Sequence, residues 1–297
     1  MHTRRRFLQG ATMVGGALLL APAWARAGVP ASTGLAEAFA QIERRSGGRL
    51  GVALHDARGL RLAGHRDNER FPMCSTFKFL LAAAVLHAAE RGQLRMDQRL
   101  PVTAADLLGN SPESEKHVGG EGISVAEAAR AAVIWSDNTA SNLLLALIGG
   151  PSALTAFLRA SGDAVTRSDR NEPTLNLFAP GDDRDTTTPA AMAGSLQRLL
   201  LGDVLAPASR QQLTAWLRDN RTGDARLRAG LPAGWQVGDK TGFNGKDTTN
   251  DIGILWPPGG GAPLLLAAYL QGARVAPPEQ NAALAAVAAA VAAQHAH

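Results

Sequence analysis

The chain has 297 residues, 45% of them hydrophobic, and its 30 Lys and Arg against 26 Asp and Glu give a formal net charge of +4. Residues 1–27 contain four arginines and no acids, so the rest of the chain has as many basic as acidic residues. That balance argues against a nucleic-acid-binding or membrane-surface protein, and the single cysteine, Cys74, excludes an internal disulfide.

The first 27 residues are typical of an export signal. Paired arginines stand before Phe7, an apolar run extends from Ala11 to Ala21, and small residues allow cleavage after Ala25 or Ala27. The paired arginines favour the twin-arginine route over general secretion. The apolar run is too short to span a bilayer, and no cysteine stands at the cleavage site. We therefore expect a periplasmic protein without a membrane anchor.

Hydrophobic periodicity predicts one helix and two strands at the start of the exported chain. Leu35 to Ser46 places its apolar residues on one helical stripe and is followed by a double glycine, which is a stop signal. Leu50–Asp56 and Gly59–Gly64 have the composition of strands and are separated by a tight turn. These three elements predict the beginning of a sheet that is covered by a helix.

The middle of the chain, from Ser75 to Val204, is predicted to be mostly helical. Ser75 to Glu90 and Ala153–Ala160 are apolar runs that are each followed closely by a glycine. Ser124 to Glu127 forms a capping box before a further apolar run. Thr188-Pro189 supplies a cap and a first-turn proline for another helix.

Strand patterns return near the end of the chain, after a helix around Ala208–Leu217. The predicted strands are short, apolar and separated by turn residues: Trp235–Lys240, Asp251–Trp256 and Pro263–Leu270. The alanine-rich segment Gln280 to Ala293 carries a helical stripe of Leu284, Val287 and Val291. We expect this last helix to pack on the sheet and not to act as a linker.

These elements predict an α+β fold. Strands at both ends with helices between them indicate an antiparallel five-stranded sheet that is flanked by helices and built from both termini. We expect residues 28–70 and 215–297 to form this α/β domain. Residues 71–214 would then form an inserted all-α domain.

Four short motifs carry the chemistry, in this order: Ser75-Thr76-Phe77-Lys78, Ser136-Asp137-Asn138, Glu172-Pro173-Thr174-Leu175-Asn176 and Lys240-Thr241-Gly242. Each motif alone is weak evidence, since an S-x-x-K occurs by chance about once per few hundred residues. Ser75 and Lys78 would share one face of a helical turn. A free N–H at the helix N-terminus could bind an oxyanion there. Such a serine can be acylated, and a carboxylate that holds a water can release the acyl group.

The set of motifs resembles the class A serine β-lactamases, and the resemblance covers essentially the whole exported chain. It implies that Ser75 opens a β-lactam and that a water held by Glu172 and Asn176 hydrolyses the acyl-enzyme. Either Lys78 or Glu172 would be the base for acylation. The residues with an implied catalytic role are Ser75, Lys78, Ser136, Glu172 and Lys240. Those with an implied role in substrate binding are Asn138, Asn176, Thr241, Gly242, Phe243 and Arg226.

Residues 170–185 resemble the Ω-loop of this family, a long functional loop that would carry Glu172. Arg170 and Asp185 are placed to pair across its neck. In the family, the peptide bond before Pro173 is cis. Asp137 is expected to point inward and to hold its loop without taking part in catalysis.

Several residues depart from the family pattern and leave the substrate range open. Asn110 stands where many relatives have an aromatic residue, and Thr249 stands where many have an arginine. Arg226 resembles the substitute arginine of other members, or it is a solvated loop residue. The ring of Phe243 either restricts cephalosporins with large substituents or points away from the cleft. Asn244 replaces the cysteine that some members bridge to the counterpart of Cys74.

Two other functions share part of the motif set. One is a penicillin-binding D-alanyl-D-alanine peptidase, and the other is a sensor domain that stays acylated. Glu172-Pro173 in an Ω-like loop and the lack of a membrane anchor argue against the peptidase. Glu172 and Asn176 argue against the sensor, because a sensor gains nothing from fast hydrolysis. We expect no cofactor and no metal, because the seven histidines are scattered. The expected partner is a small β-lactam and no nucleic acid, and the expected state is a monomer.

Overall fold

The computed structural model describes residues 34–295, so the predicted signal peptide and its cleavage sites lie outside the described residues. Within this range the α-helices, in chain order, are α1 (Leu35–Ser46), α2 (Phe77–Glu90), α3 (Val125–Ile134), α4 (Asn138–Ile148), α5 (Pro151–Ala160), α6 (Pro189–Leu200), α7 (Pro207–Arg218), α8 (Leu227–Gly230) and α9 (Pro277–His295). The strands are β1 (Arg49–Asp56), β2 (Arg61–His65), β3 (Phe71–Pro72), β4 (Arg99–Leu100), β5 (Ile123–Ser124), β6 (Thr186–Thr187), β7 (Gln236–Phe243), β8 (Thr249–Trp256) and β9 (Leu264–Gln271).

The central sheet has five strands in the order β2-β1-β9-β8-β7, and every neighbouring pair is antiparallel. Its strands come from both ends of the described chain, and the helices α2 to α7 lie between them in sequence. This arrangement confirms the predicted α+β fold with a five-stranded antiparallel sheet. β7 is an edge strand, so one of its sides is not covered by another strand of the sheet.

Two hydrophobic cores lie against the sheet. One packs α1 and α9 against strand residues and includes Phe39, Leu284, Val287 and Val291, all buried. The other packs strand residues against α2 to α7, and Phe79 in α2 is completely buried there. The predicted stripe on α9 is therefore a packing face, which explains how a helix so rich in alanine is held in place.

The helix caps follow the sequence signals closely. The Ser124 side chain accepts a hydrogen bond from the Glu127 N–H, which completes the predicted capping box at the start of α3. Thr188 caps α6 in the same way through the Ala191 N–H. One boundary differs from the prediction: residues Cys74–Thr76 form a 3₁₀ turn, and the α-helix begins only at Phe77.

The strand boundaries were less predictable. The strand predicted over Trp235–Lys240 extends through Phe243, because the ladder with β8 continues to the pair of Phe243 and Thr249. A ladder is completed by a partner that is distant in sequence, so local composition does not determine where it stops.

None of the single helices in residues 34–295 has the length and apolar composition needed to cross a bilayer. One bent pair, Asn138–Ile148 with Pro151–Ala160, passes that test only when the two helices are taken together, and they meet at 70°.

Candidate active site

Ser75 lies in the 3₁₀ turn that leads into α2. The preceding residue, Cys74, is completely buried and has a φ of +46°, which sharpens the turn. Thr76 donates from both its N–H and its hydroxyl to the Met73 carbonyl, at 3.2 and 2.8 Å. The Ser75 hydroxyl donates to Glu172 Oε1 at 3.3 Å. Cys74 is therefore a small buried residue directly behind the serine.

Lys78 is one turn further along and is completely buried. Its ammonium group donates to the Ser136 carbonyl at 2.7 Å and to Asn138 Oδ1 at 2.5 Å. It also lies 3.1 Å from Glu172 Oε1 and 3.5 Å from the Ser136 hydroxyl. Burial lowers the pKa of Lys78, and the carboxylate of Glu172 opposes that shift. The lysine thus connects three of the predicted motifs.

Glu172 is held in place through its backbone and its side chain. Asn142 accepts from the Glu172 N–H and donates to the Glu172 carbonyl, both at 2.9 Å. Asn176 Nδ2 donates to Glu172 Oε2 at 2.7 Å, while Oε1 contacts Ser75 and Lys78. The peptide bond before Pro173 is cis. Sequence reasoning missed Asn142, although it lies one helical turn after Asn138 on α4.

An ion pair closes the loop that carries Glu172. Arg170 Nε lies 2.6 Å from Asp185 Oδ2, and the side chain of Asp185 is only 3% exposed. Asp185 Oδ1 also accepts from the backbone N–H groups of Asp169 and Arg170, at 2.7 and 3.0 Å. The predicted pairing across the neck is therefore present. It is partly shielded from solvent and has backbone support, unlike an ordinary surface ion pair.

Ser136 and Asn138 lie where α3 ends and α4 begins. Ser136 has a φ of +59°, and its carbonyl accepts from Asn110 Nδ2 at 2.8 Å. Asp137, completely buried, caps α4 and accepts from the N–H groups of Glu113 and Ser114. These contacts agree with the prediction that Asp137 points inward. They also show that Asn110 supports the serine loop by hydrogen bonds.

Lys240 is completely buried on β7 and donates to the Thr241 carbonyl at 3.1 Å. Burial and the nearby charge of Lys78 lower its pKa to about 7, while the carboxylates of Asp239 and Asp251 oppose the shift. The pKa values of Asp239 and Asp251 are themselves raised by burial. The charge on Lys240 is therefore sensitive to pH in the neutral range.

Gly242 lets β7 approach the serine turn. A Cβ atom at this position would lie 2.7 Å from the Met73 carbonyl oxygen and 3.1 Å from Cys74 Cβ. The first distance is shorter than a non-bonded contact allows, so only glycine fits without a shift of the backbone. On the adjacent strand, Asn250 Nδ2 donates to the carbonyls of Pro72 and Met73, at 2.9 and 3.1 Å. The end of β7 is thus fixed beside Ser75.

Arg226 is only 9% exposed, so the alternative of a solvated loop residue is wrong. Its Nε donates to Asn281 Oδ1 at 2.9 Å. Its Nη1 donates to the carbonyls of Gly242 and Asn250, at 3.1 and 2.9 Å. The residue also lines the cleft, so the guanidinium is a fixed part of the wall formed by β7.

These elements surround a cleft of about 360 Å³. Of the residues predicted to act in catalysis or binding, those that line it are Ser75, Ser136, Asn138, Glu172, Asn176, Arg226, Thr241, Gly242 and Phe243. Lys78 and Lys240 lie buried behind this surface. Phe243 is 36% exposed and is among the residues that line the cleft. The lining also includes Thr222, whose hydroxyl contacts that of Thr241 and which sequence reasoning missed.

Comparisons with known proteins agree with this geometry. Residues 34–295 match a family model described as the β-lactamase enzyme family. β-Lactamase L2 of Stenotrophomonas maltophilia is 55% identical over 279 residues, which cover 91% of this chain and 92% of the relative. β-Lactamase CTX-M-8 of Citrobacter amalonaticus is 50% identical over 231 residues, or 78% and 79% of the two chains.

Solved structures agree in the same way. The crystal structure of a β-lactamase from Xanthomonas campestris pv. campestris is 61% identical, with a TM-score of 0.85, over 86% of this chain and 96% of that one. An ancestral class A β-lactamase is 59% identical, with a TM-score of 0.84, over 87% and 98% of the two chains.

Proposed function

Because the chain belongs to the class A serine β-lactamase family, we propose that it hydrolyses the amide bond of penicillin- and cephalosporin-type antibiotics and so confers resistance to them. One observation carries the catalytic assignment. Glu172 Oε1 lies within 3.3 Å of the Ser75 hydroxyl and 3.1 Å of the Lys78 ammonium. One carboxylate can therefore exchange protons with both the nucleophile and the buried lysine.

In the first half of the reaction, Ser75 attacks the β-lactam carbonyl and the amide bond breaks. The contact between the Ser75 hydroxyl and Glu172 supports Glu172 as the acceptor of the serine proton. Lys78 lies between Glu172 and the Ser136 hydroxyl, so it can pass a proton toward the leaving nitrogen. Its lowered pKa suits this exchange, because its charged form is less favoured in the interior.

The negative oxygen that forms during attack requires hydrogen-bond donors. We assign this role to the backbone N–H groups of Ser75 and Phe243. Gly242 supports the assignment, because its missing side chain lets the end of β7 lie against the turn that carries Ser75.

In the second half, a water between Glu172 and Asn176 attacks the acyl-enzyme. Asn176 would orient this water and Glu172 would take a proton from it. The ester bond to Ser75 then breaks, and Glu172 returns the proton to the Ser75 oxygen, which it contacts at 3.3 Å. Asn176 Nδ2 is engaged by Glu172 at 2.7 Å. Its Oδ1 is buried and accepts no hydrogen bond from the described residues, so it can accept one from the water. This pair distinguishes a hydrolase from a protein that stays acylated.

Substrate binding is assigned to the remaining predicted residues that line the cleft or lie directly behind its surface. Lys240 supplies positive charge behind Thr241, and Arg226 supplies a second buried cation on the cleft surface for the β-lactam carboxylate. Asn138 uses its Oδ1 for Lys78 and one Nδ2 hydrogen for the Gly109 carbonyl. Its second Nδ2 hydrogen is left for the amide side chain of the substrate.

We also propose that the protein works as a monomer in the periplasm after export by the twin-arginine route. The support for the export route is the sequence pattern of residues 1–27, with its paired arginines, apolar run and small residues at Ala25 and Ala27. Export to that compartment would place the enzyme where β-lactams reach their targets.

The catalytic proposal is tested by replacing Glu172 with Ala and measuring the intact protein mass after mixing with a penicillin. In Glu172→Ala we expect acylation to be slower but measurable, and the adduct of one drug molecule to persist, whereas no adduct should accumulate in the wild type. Glu121→Ala, a change of an exposed residue, is the matched control and should behave as the wild type. Rapid drug turnover by Glu172→Ala with no adduct would contradict the assignment.

The same preparation separates the two alternative functions. Repeated turnover of a chromogenic cephalosporin by the wild type supports a β-lactamase. A single stoichiometric burst followed by a stable adduct would indicate the sensor domain. Release of D-alanine from a D-alanyl-D-alanine peptide, with little drug turnover, would indicate the peptidase.

A further inference from the structure

Gln280, in the first turn of the last helix, contacts the loop between β7 and β8. Its side chain is almost completely buried, at 1% exposure. Its Nε2 donates to the carbonyls of Lys246 and Val275, both at 3.0 Å. The Lys246 carbonyl belongs to the turn Asn244–Thr248, which directly follows the Lys240-Thr241-Gly242 strand. A buried amide of α9 therefore supports a turn beside the cleft.

The orientation of this amide is determined by its neighbours. Both contacts are carbonyl oxygens, which only accept, so the NH₂ group must face them. Its Oε1 is buried and has no partner among the residues that the structure describes. A buried oxygen without a partner is unfavourable. The two donor bonds are thus the favourable polar contacts that this buried amide makes with the described chain.

The turn is held together by several hydrogen bonds. Asn244 Oδ1 accepts from the N–H groups of Lys246, Asp247 and Thr248, at 2.9, 3.0 and 3.0 Å. The turn is also tied to the end of β9 by the bond from the Ala273 N–H to the Asp247 carbonyl, at 2.9 Å. Because these bonds join the residues of the turn to one another, a displacement at Lys246, where Gln280 binds, would be transmitted to Gly245 at the cleft.

The inner side of this turn faces the cleft. Phe243, just before the turn, and Gly245, within it, line the same cleft as Ser75. The residue after Gln280 supports the same wall at a second point, since Asn281 Oδ1 accepts from Arg226 Nε at 2.9 Å. The first turn of α9 thus supports both the turn and the arginine.

We propose that Gln280 is a positioning residue for the cleft: its hydrogen bond to Lys246 sets the distance of the Phe243–Gly245 wall from Ser75. The inference rests on the proposed function, since the wall is taken to bind a β-lactam. Gln280 touches neither Ser75 nor Glu172, and the backbone of Phe243, whose N–H is assigned to the oxyanion, stays paired with Thr249 in the β7–β8 ladder. The loss of the Gln280 amide should therefore displace the turn more than the oxyanion donors, weaken substrate binding and leave the chemical step largely intact.

The test compares Gln280→Met, which keeps the length but removes both donors, with the wild type. We expect the KM for a chromogenic cephalosporin to rise about fivefold and kcat to change by less than about twofold, the effect of losing one hydrogen bond that positions the wall. Hydrogen exchange of the peptide containing Asn244–Thr248 should become faster. Gln280→Asn, which is too short to reach Lys246, should show the same pattern if the Met variant does not fold.

Ser124→Ala is the control for a general loss of stability, because it removes the cap of α3 far from the turn. It should lower Tm without changing KM or the exchange of the turn. Unchanged KM and unchanged exchange in both Gln280 variants would overturn the proposal. An equal change of KM and of the exchange of the turn in the Ser124→Ala control would also overturn the proposal. Failure of the wild type to turn over any β-lactam would instead overturn the proposed function, and the exchange experiment would still test the positioning role.

Discussion

Lys78 and Glu172 form an ion pair in the interior, with Nζ 3.1 Å from Oε1 and both side chains at 0% exposure. Removing two charges from water is unfavourable unless the pair is supported by further hydrogen bonds. Ser136 and Asn138 supply them to Lys78, and Asn176 supplies one to Glu172. The carboxylate of Glu172 thus opposes the lowering of the Lys78 pKa by burial, which suits a reaction that moves a proton to and from the serine.

Replacing Lys78 by Ala should leave Glu172 as a buried carboxylate without its cation. We expect kcat/KM to fall by at least about 10³-fold, since the proton path to Ser136 is lost. The free energy of unfolding should fall by about 3–5 kcal/mol, the range for breaking a buried pair. Steady-state kinetics and urea unfolding measure the two effects. Lys116→Ala, which breaks only a surface pair with Glu113, should change neither kcat/KM nor the free energy of unfolding. Wild-type kinetics in Lys78→Ala would exclude a role of Lys78 in proton transfer.

The pH dependence of kcat/KM should follow the charge on Lys240. Its pKa of about 7 means that it is charged below that pH and loses its charge above it. Since the cation attracts the substrate carboxylate, kcat/KM should decline as pH rises above about 7. In Lys240→Arg the charge persists to alkaline pH, so the decline should move up by at least about one unit. If kcat/KM depended on pH in the same way in the wild type and in Lys240→Arg, a group other than Lys240 would cause the decline above pH 7.

Asp185 should determine how firmly the loop 170–185 is closed. Asp185→Ala removes the ion pair and two acceptor bonds, and it places alanine at a φ of +56°. We expect a loss of about 2–4 kcal/mol in unfolding free energy and a lower kcat through slower deacylation. In Asp185→Asn the asparagine tolerates that φ and keeps one side-chain acceptor oxygen, so this variant should lose less unfolding free energy than Asp185→Ala.

The control for this loop is Asp183→Ala. Its carboxylate is 60% exposed, so the loss should stay below about 0.5 kcal/mol. An effect of Asp183→Ala as large as that of Asp185→Ala would mean that the whole loop, and not its neck, carries the stability.

Gly242→Ala tests the close approach of β7 to the serine turn. The new Cβ would lie 2.7 Å from the Met73 carbonyl oxygen, so the strand must shift away from Ser75. We expect the acylation rate to fall about 10²-fold, because the oxyanion donors lose their alignment. Stopped-flow measurement of the acylation burst checks this. At Gly120 the nearest atom to a new Cβ is 3.8 Å away, so Gly120→Ala should acylate at the wild-type rate.

Phe243 should restrict the substrate range. Truncation to Ala removes the ring of a cleft-lining residue that is already 36% exposed, so the free energy of unfolding should change by less than about 1 kcal/mol. The kcat/KM for cephalosporins with large substituents should rise at least about threefold relative to benzylpenicillin. Leu60→Ala, a change of an exposed apolar residue that does not line the cleft, should leave the ratio unaltered. A constant ratio in Phe243→Ala would mean that the ring does not contact the substituent.

Local signals were enough to predict the architecture and most of the residues that meet at the cleft. The capping box at Ser124, the cap at Thr188 and the stripe on α9 depend on neighbours within a few residues, so each was visible in the sequence. The four motifs named the residues of the cleft because their chemistry requires particular side chains. The sequence by itself therefore determined the fold class, the family and the candidate nucleophile.

Only the tertiary structure showed how those residues are held. Asn142 contacts Glu172 from 30 positions away. Gln280 contacts Lys246 from 34 positions away. Both are ordinary amides whose importance comes from a partner brought near by folding. The same holds for the burial of Arg226 and the exposure of Phe243, because a side chain's environment is set by packing between distant segments and not by its own neighbours in the chain.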